Sequence, residues 1–256
     1  MNAMVDTEQA INLIRKSHRI VAFSGAGIST EAGIPDFRGP GGMWEDSDLL
    51  EQLSASGFRR NPEGFYRASV TLFSTIARAE PTPAHRLLVR LEQLGKLDAV
   101  ITQNIDGLHH AAGSAKVYEL HGTFRTGHCT KCRAGFDMSA FYSGIESGQL
   151  RVPSCTACAA PIKPDVVLFE DLLPEDAWQG GVEAAQNCDL MLVFGSSLVV
   201  YPAAELPMIA LSQGAPLVIV NLEATAYDAM ATVNVRAKLG EFAKADLLMR
   251  QRKYSE

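Results

Sequence analysis

The chain has 256 residues, of which 47% are hydrophobic and 20% are charged. This composition is typical of a globular protein and excludes intrinsic disorder. The formal net charge is −6 and no basic tail is present, so direct binding to nucleic acid is not expected. The apolar runs are too short to cross a bilayer, and residues 1–19 lack the pattern of a signal peptide. We therefore expect a soluble cytoplasmic protein with no membrane partner, either an enzyme or a metal-stabilised binding module.

Short apolar strands alternate with amphipathic helices along most of the chain. The predicted helices are residues 6–17, 84–94, 203–213 and 239–250, and the predicted strands are residues 20–23, 99–101, 190–194 and 217–220. This alternation indicates an α/β fold with a doubly wound parallel sheet. Residues 39–74, which contain glycine-rich turns and short helical pieces, are expected to form a lid.

Residues 123–163 interrupt the alternation and contain four of the five cysteines. The pattern is Cys129-x2-Cys132, a gap of 22 residues, and Cys155-x2-Cys158. Two such pairs match the ligand set of a tetrahedral structural Zn²⁺, which would organise an insert too small to form its own core. The alternatives are four unrelated buried thiols or two redox pairs, and paired spacing favours zinc over both. Cys188 stands apart, and we expect it to be a buried thiol.

Polar and glycine-rich motifs follow each predicted strand, where ligands bind in doubly wound sheets. They are Gly25–Thr30, Thr102–His109, Gly195–Ser197 and Asn221–Glu223. The turn after the first strand is predicted to open a helix, and its glycines would let the backbone approach a pyrophosphate; a tight turn with no ligand is the alternative. The polar Thr102–His109 loop fits either a sugar or carboxamide site or a satisfied loop cap. A histidine could act as a general base, and residue chemistry alone leaves His109, His110 and His121 open.

Taken in order, these motifs resemble those of the sirtuins, the NAD-dependent protein lysine deacylases. The resemblance rests on Gly25-Ala26-Gly27-Ile28-Ser29, Gly33–Arg38, Thr102–Asp106, His121-Gly122, the four cysteines, Gly195–Ser197 and Asn221–Glu223, and it spans about residues 8–247. The compact prokaryotic members are the most similar. The resemblance implies a Rossmann-like NAD-binding domain (residues 1–38, 75–122 and 164–256) and a smaller domain with a lid part (39–74) and a zinc-binding part (123–163).

The resemblance also implies the roles of individual residues. Those expected to bind NAD, a consumed co-substrate, are Gly25, Ala26, Gly27, Thr30, Phe37, Arg38, Gln103, Asn104, Ile105, Asp106, His121, Gly195, Ser196, Ser197, Asn221, Leu222, Glu223, Ala237 and Lys238. The catalytic residues would be Asn104, Asp106, which holds the nicotinamide carboxamide, and His121, the general base. The products would be nicotinamide, O-acyl-ADP-ribose and the deacylated lysine.

The acyl-lysine peptide or protein would pair as an added strand with residues 166–170 and 197–201. The substrate-binding residues implied are Val166, Val167, Phe169, Glu170, Leu198 and Val199. Glu170 replaces a glycine that sirtuins commonly have, and its carboxylate could favour basic flanking residues. Succinyl- and malonyl-lysine deacylases have a tyrosine and an arginine three residues apart on the lid helix, where this chain has Tyr66 and Ser69. Acetyl or longer apolar acyl groups are therefore favoured.

Two other function classes are compatible with the same NAD site. A protein mono-ADP-ribosyltransferase would move ADP-ribose to a side chain, and a binding module would sense NAD without turnover. The presence of Asn104, Asp106 and His121 together favours deacylation over both.

Overall fold

A parallel sheet and a smaller antiparallel sheet organise the protein, in a computed structural model that describes residues 3–36 and 47–252. The strands are β1 Ile20–Ser24, β2 Leu97–Thr102, β3 Val117–Glu119, β4 Gly122–Cys129, β5 Gly135–Asp137, β6 Ile162–Val166, β7 Leu190–Phe194, β8 Leu217–Val220 and β9 Val233–Val235. The helices are α1 Ala3–Lys16, α2 Ser47–Gln52, α3 Ala55–Arg60, α4 Pro62–Arg78, α5 Pro83–Gln93, α6 Leu108–Ala112, α7 Ser139–Glu146, α8 Glu175–Asn187, α9 Leu206–Ser212 and α10 Leu239–Arg252. Within these ranges, no helix combines the length and apolar character needed to cross a membrane.

The large sheet has six strands in the order β3-β2-β1-β7-β8-β9, and all neighbouring pairs are parallel. The chain adds strands outward from β1 in one direction and then, from β7, in the other. The boundary between β1 and β7 is thus a topological switch point, and ligands bind beyond the carboxyl ends of the strands at such a point.

Helices cover both faces of this sheet, which explains why its central strands are apolar throughout. Ile14 of α1, Leu88 of α5 and Phe242 of α10 belong to the core on one face. Ala185 of α8 and Leu206 of α9 belong to the core on the other. The Rossmann-like doubly wound sheet predicted from the sequence is confirmed.

The small sheet has the order β5-β4-β6, with antiparallel pairing, and α4 and α7 pack beside it. A third core joins residues from these two helices and this sheet. The ring of Phe73 in α4 lies 5.5 Å from that of Tyr142 in α7 and 6.2 Å from that of Phe124 in β4. The lid region and the cysteine-rich region therefore share one core.

All eight predicted elements are present, with ends shifted by a few residues, but two details differ. The turn after β1 opens no α-helix; it forms two short 3₁₀ turns, Ala26–Ile28 and Thr30–Ala32, and the left-handed Gly33 (φ 83°) ends the second. The region predicted as one helix over 203–213 is a 3₁₀ turn, Ala203–Glu205, followed by α9.

Candidate functional site

A cleft of about 1150 Å³ lies between the carboxyl ends of the parallel strands and the small sheet with its helices. The predicted NAD-binding residues that line it are Gly25, Ala26, Gly27, Thr30, Gln103, Asn104, Ile105, His121, Gly195, Ser196, Ser197, Asn221, Leu222, Glu223 and Lys238. Asp106 and Ala237 are not among the lining residues, and Ala237 packs against the core beneath the sheet. Phe37 and Arg38 lie outside the described residues.

The glycine turn after β1 packs directly against the loop after β7. The Gly27 N–H donates to the Gly195 carbonyl at 2.9 Å, and a Cβ at Gly27 would lie 2.7 Å from the Gly195 Cα. Gly195 itself has φ 63°, a conformation that favours glycine. These glycines are thus required for contact between two loops. The expected α-helix is absent here, and two short 3₁₀ turns take its place.

Gln103 connects the three strand ends that meet at the switch point. Its N–H donates to the Ser24 carbonyl at 3.0 Å, and its side-chain oxygen accepts from the Ser196 hydroxyl at 2.8 Å. Its own carbonyl lies 2.8 Å from His121 Nδ1. Because a carbonyl only accepts, Nδ1 must be protonated, and Nε2 of the neutral ring has a free lone pair.

His121 is held so that it can take a proton at neutral pH. Burial lowers its pKa, an effect that the hydrogen bond to the Gln103 carbonyl partly opposes. The following residue, Gly122, has φ 72°, and a Cβ there would lie 1.9 Å from the Asp165 carbonyl oxygen. The small residue next to the histidine is therefore required by the close approach of β4 to β6. The Val167 N–H donates to the His121 carbonyl at 2.8 Å and fixes the start of the predicted peptide-binding segment.

Asn104 and Asp106 share a hydrogen-bond partner for which the sequence indicates no role, the hydroxyl of Ser29. The Ser29 hydroxyl donates to the Asp106 carboxylate at 2.6 Å and accepts from the Asn104 side-chain N–H at 3.2 Å. The Asn104 side chain also donates to the Gly25 carbonyl at 3.1 Å. Burial raises the pKa of Asp106, while hydrogen bonds from Ser29, Leu108 and Asn104 lower it. The carboxylate thus stabilises the loop from behind the cleft wall.

The two segments predicted to bind the peptide reach the cleft to different extents. Val166, Val167, Phe169 and Glu170 line it, and so does Ser197. Leu198 and Val199 are not lining residues. The Leu198 side chain is 1% exposed and packs in the core under α9, which leaves only its backbone for pairing with a substrate.

Glu170 keeps the backbone conformation of the glycine it replaces. Its φ is 78°, in the left-handed region where a non-glycine residue is strained. The carboxylate accepts from the Ser56 N–H at 2.9 Å and from the Ser56 hydroxyl at 3.0 Å, and lies 3.8 Å from the Arg59 guanidinium. The loop is also held to α3 by the Ala55 N–H, which donates to the Phe169 carbonyl at 2.9 Å.

Tyr66 and Ser69 of α4 differ in their relation to the cleft. Ser69 lines it together with Phe65, Leu72 and Phe73, whereas Tyr66 is not a lining residue. The Tyr66 hydroxyl donates to the Ile162 carbonyl at 2.7 Å and so fastens α4 to β6. This part of the cleft is apolar. Among the described residues that line the cleft, Lys238 is the single lysine or arginine, and it follows β9.

The four paired cysteines come together in the small sheet region. Their sulfur atoms all lie within 4.8 Å of one another, with Cys129 and Cys158 at 3.3 Å and Cys132 and Cys155 at 3.5 Å. A tetrahedral zinc with Zn–S bonds of about 2.3 Å requires sulfurs roughly 3.8 Å apart, so the cluster fits this ion with little adjustment. Four sulfur ligands fill the coordination sphere, which is typical of a structural site. Cys188 is buried outside this cluster, as expected.

Comparison with known proteins decides the family. A family model described as the Sir2 family matches residues 25–202. The chain is 45% identical over 237 residues to NAD-dependent protein deacylase 2 of Archaeoglobus fulgidus, with 92% of each chain covered. It is 42% identical to the NAD-dependent protein deacetylase of Thermotoga maritima, with 93% of this chain and 95% of that one covered. The chain belongs to the Sir2 family, the sirtuins.

Solved structures agree with this assignment. A structure from work on the mechanism and regulation of Sir2 enzymes superimposes on this sirtuin with a TM-score of 0.88 and 43% identity, covering 97% of this chain and 98% of that one. A Sir2 complex with a p53 peptide and NAD+ gives a TM-score of 0.87 and 40% identity, covering 96% and 98%.

Several residues that organise the site of this sirtuin were missed in the sequence. Ser29 lies in the motif after β1 and Thr102 begins the polar loop after β2, but the sequence indicates no individual role for either of them or for Ser24. Of the three histidines left open as the base, His121 alone lines the cleft. His109 is 2% exposed, and His110 faces the Glu119 carboxylate at 3.8 Å.

Proposed function

We propose that this sirtuin is an NAD-dependent protein lysine deacylase that releases nicotinamide, O-acyl-ADP-ribose and the free lysine. The observation that carries the proposal is the state of His121, whose Nδ1–H is committed to the Gln103 carbonyl at 2.8 Å. Its Nε2 therefore has the free lone pair that a general base needs. The relatives named NAD-dependent protein deacylase or deacetylase, and the Sir2 complex with NAD+ and a peptide, support the same reaction.

NAD supplies a ribose carbon activated by its nicotinamide leaving group, and the acyl-lysine oxygen is the nucleophile. The protein's part is to position both substrates and to remove a proton from the ribose hydroxyls through His121. Asn104 is available on the cleft wall, held by Gly25 and Ser29. We assign Asp106 a supporting role through Ser29 in this arrangement, and contact with the nicotinamide carboxamide would require the wall to open.

The remaining assignments follow the same division of the cleft. The Asn221–Glu223 segment and Lys238 would hold the adenosine end of NAD, since they line the cleft after β8 and after β9, respectively. The peptide would bind between Val166–Glu170 and Ser197–Tyr201. The domain division proposed from the sequence is supported by the shared core of α4, α7 and the small sheet.

The acyl group is proposed to be acetyl or a longer apolar chain. It would lie against Phe65, Leu72 and Phe73, next to Ser69. Ser69 donates its hydroxyl to the Phe65 carbonyl at 2.8 Å, and a serine offers no positive charge to an acidic acyl group. Burying a carboxylate beside these side chains without a cation is costly.

A mass-spectrometric assay with an acetyl-lysine peptide tests the function. Deacetylated peptide and O-acetyl-ADP-ribose should appear together, only with NAD, and both should be lost in His121→Ala. His110→Gln is the control, because it also replaces a histidine but one that does not line the cleft. Cleavage of NAD with the acetyl group retained and ADP-ribose added to protein would instead support the transferase alternative.

A further inference from the structure

Two histidines outside the proposed mechanism are buried side by side beneath the cleft. His85 of α5 is 0% exposed and His109 of α6 is 2% exposed. Their ring centroids are 4.7 Å apart and the rings are inclined by 60°. Burial lowers the pKa of His85 to about 4, with a contribution from the Arg86 charge. Burial also lowers the pKa of His109, so both rings are neutral at pH 7.

The tautomer of the His85 ring is fixed by a backbone N–H group. The Thr82 N–H, which can only donate, lies 3.2 Å from His85 Nδ1 at the start of α5. His85 Nδ1 therefore accepts, and the single proton of the neutral ring is on Nε2. Among the described residues, no protein group pairs with this Nε2–H.

Nε2 of His109 has a hydrogen-bond partner in Ser24, the last residue of β1. His109 Nε2 lies 2.8 Å from the Ser24 hydroxyl, which donates to the Thr102 hydroxyl oxygen at 2.9 Å. With its own proton used in this way, Ser24 accepts from His109 Nε2–H, and Nδ1 of that ring is an acceptor. Within the described part of the chain, His109 Nδ1 also has no partner. The structure thus places an unpaired donor and an unpaired acceptor on adjacent buried rings.

The chain of hydrogen bonds ends at the cleft wall. Thr102 accepts at its hydroxyl oxygen from the Asn104 N–H at 3.1 Å. Ser24 directly precedes Gly25, whose carbonyl accepts from the Asn104 side chain at 3.1 Å. A shift of the His109 ring would therefore disturb the hydrogen bonds of both the backbone N–H and the side chain of Asn104.

We propose that His85 and His109 are positioning residues that act as one pair, with His85 Nε2–H donating to one bridging water that donates to His109 Nδ1. The pair joins the start of α5 to the Ser24–Thr102–Asn104 chain and holds Asn104 in the cleft wall. An unpaired polar group in this buried position is costly, so the two rings remain together. The consequence for turnover rests on the proposed deacylase function, whereas the pair itself does not.

Nitrogen-15 NMR of the histidine rings in the wild-type protein tests the pair without using activity. We expect both rings to be neutral at pH 7, each with its proton on Nε2, and the His85 ring proton to exchange slowly with solvent. A proton on Nδ1 of either ring, or a charged ring at pH 7, would overturn the proposal. This test stands even if substituted proteins fail to fold.

Two substitutions remove the link between the rings and leave the outer bonds intact. His85→Asn keeps an acceptor for the Thr82 N–H, and His109→Gln keeps a group for Ser24. Each should lower kcat about tenfold with the KM for NAD and peptide within twofold, because one buried hydrogen bond is lost. The double variant should be no slower than the slower single variant, since both remove the same link. His110→Gln on the same helix should match the wild type.

Exchange of the Asn104 amide proton gives a second measurement that needs no turnover. It should be faster in His85→Asn and in His109→Gln, and unchanged in His110→Gln. Folded variants with wild-type kcat and wild-type exchange of the Asn104 amide proton would overturn the positioning role. So would a double variant whose loss of kcat equals the product of the losses in the two single variants. A wild-type protein with the expected tautomers but no deacylation would uphold the pair and overturn the proposed function.

Discussion

Replacing Ser29 with alanine removes the hydroxyl that joins Asp106 to Asn104. Ser29 is 0% exposed, so water cannot substitute for the lost hydroxyl without a rearrangement. The bond to the Asp106 carboxylate is 2.6 Å, and hydrogen bonds to charged groups contribute about 1.5–3 kcal/mol. Asn104 retains the Gly25 carbonyl as a partner, so its loss is smaller. We expect Ser29→Ala to lower the free energy of unfolding by about 2–3 kcal/mol at pH 7.

The size of this loss should depend on pH with a defined sign. Burial already raises the pKa of Asp106, and the Ser29 hydrogen bond opposes that rise. Without Ser29 the folded-state pKa rises further above the unfolded value, so stability is lost as the pH increases through this range. The difference in stability between wild type and variant should therefore be larger at pH 7 than at pH 4.

Urea unfolding at both pH values, together with the rate of nicotinamide release, measures these effects. Because Asn104 loses an anchor in the wall of the proposed active site, kcat should fall about tenfold or more. Ser114→Ala is the matched control: Ser114 is 5% exposed, and its hydroxyl has no hydrogen-bond partner among the described residues. A loss below about 0.5 kcal/mol in Ser29→Ala, or an equal loss at pH 4 and pH 7, would refute the reasoning.

Four further predictions concern the base, the acyl group, the peptide and the metal. Since burial lowers the pKa of His121, the acid limb of kcat/KM should have its midpoint below the ordinary value of 6.5; a midpoint above 6.5 would contradict this. The wild type should remove acetyl at least about tenfold faster than succinyl, and Ser69→Arg should narrow this ratio in a peptide assay; equal wild-type rates would contradict the assignment. Glu170→Gly should weaken any preference for basic flanking residues about twofold, measured on a peptide array against Ser56→Ala, and an unchanged preference would refute a role for the carboxylate. Cys129→Ser should reduce bound zinc from one per chain towards none and lower the Tm, and retained zinc by elemental analysis would exclude the four-sulfur site.

The sequence predicted the fold wherever the hydrophobic pattern was strong. Strands such as Leu190–Phe194 are buried on both faces and read as continuous apolar runs. The edge strands β3 and β9 have only three residues each, too few to show a pattern. Helix α8 contains two adjacent glycines, Gly180 and Gly181, which lower its helix propensity. Gly180 is explained by packing, because a Cβ there would lie 2.2 Å from the Tyr118 ring.

The candidate site was predictable to the extent that it lies at strand ends. Most of the predicted NAD-binding residues line one cleft because the carboxyl ends of parallel strands meet at one edge of the sheet. The support beneath that edge was not predictable, because it depends on contacts between distant segments. Ser29 bonds to Asn104 and Asp106, and the His85 ring packs against His109. At Glu170 the sequence misleads in the opposite way, because the residue is not a glycine and yet its backbone has the left-handed conformation of one. The hydrogen bond from the Ser56 N–H of α3 to its carboxylate holds the loop in this conformation.

The most direct test of the deacylase assignment is the stoichiometry of a single reaction mixture with acetyl-lysine peptide and NAD. Nicotinamide, deacetylated peptide and O-acetyl-ADP-ribose should form in equal amounts, and all three should vanish together in His121→Ala. Deacetylated peptide with free acetate and no NAD consumption would contradict the account. So would nicotinamide formed while the peptide keeps its acetyl group.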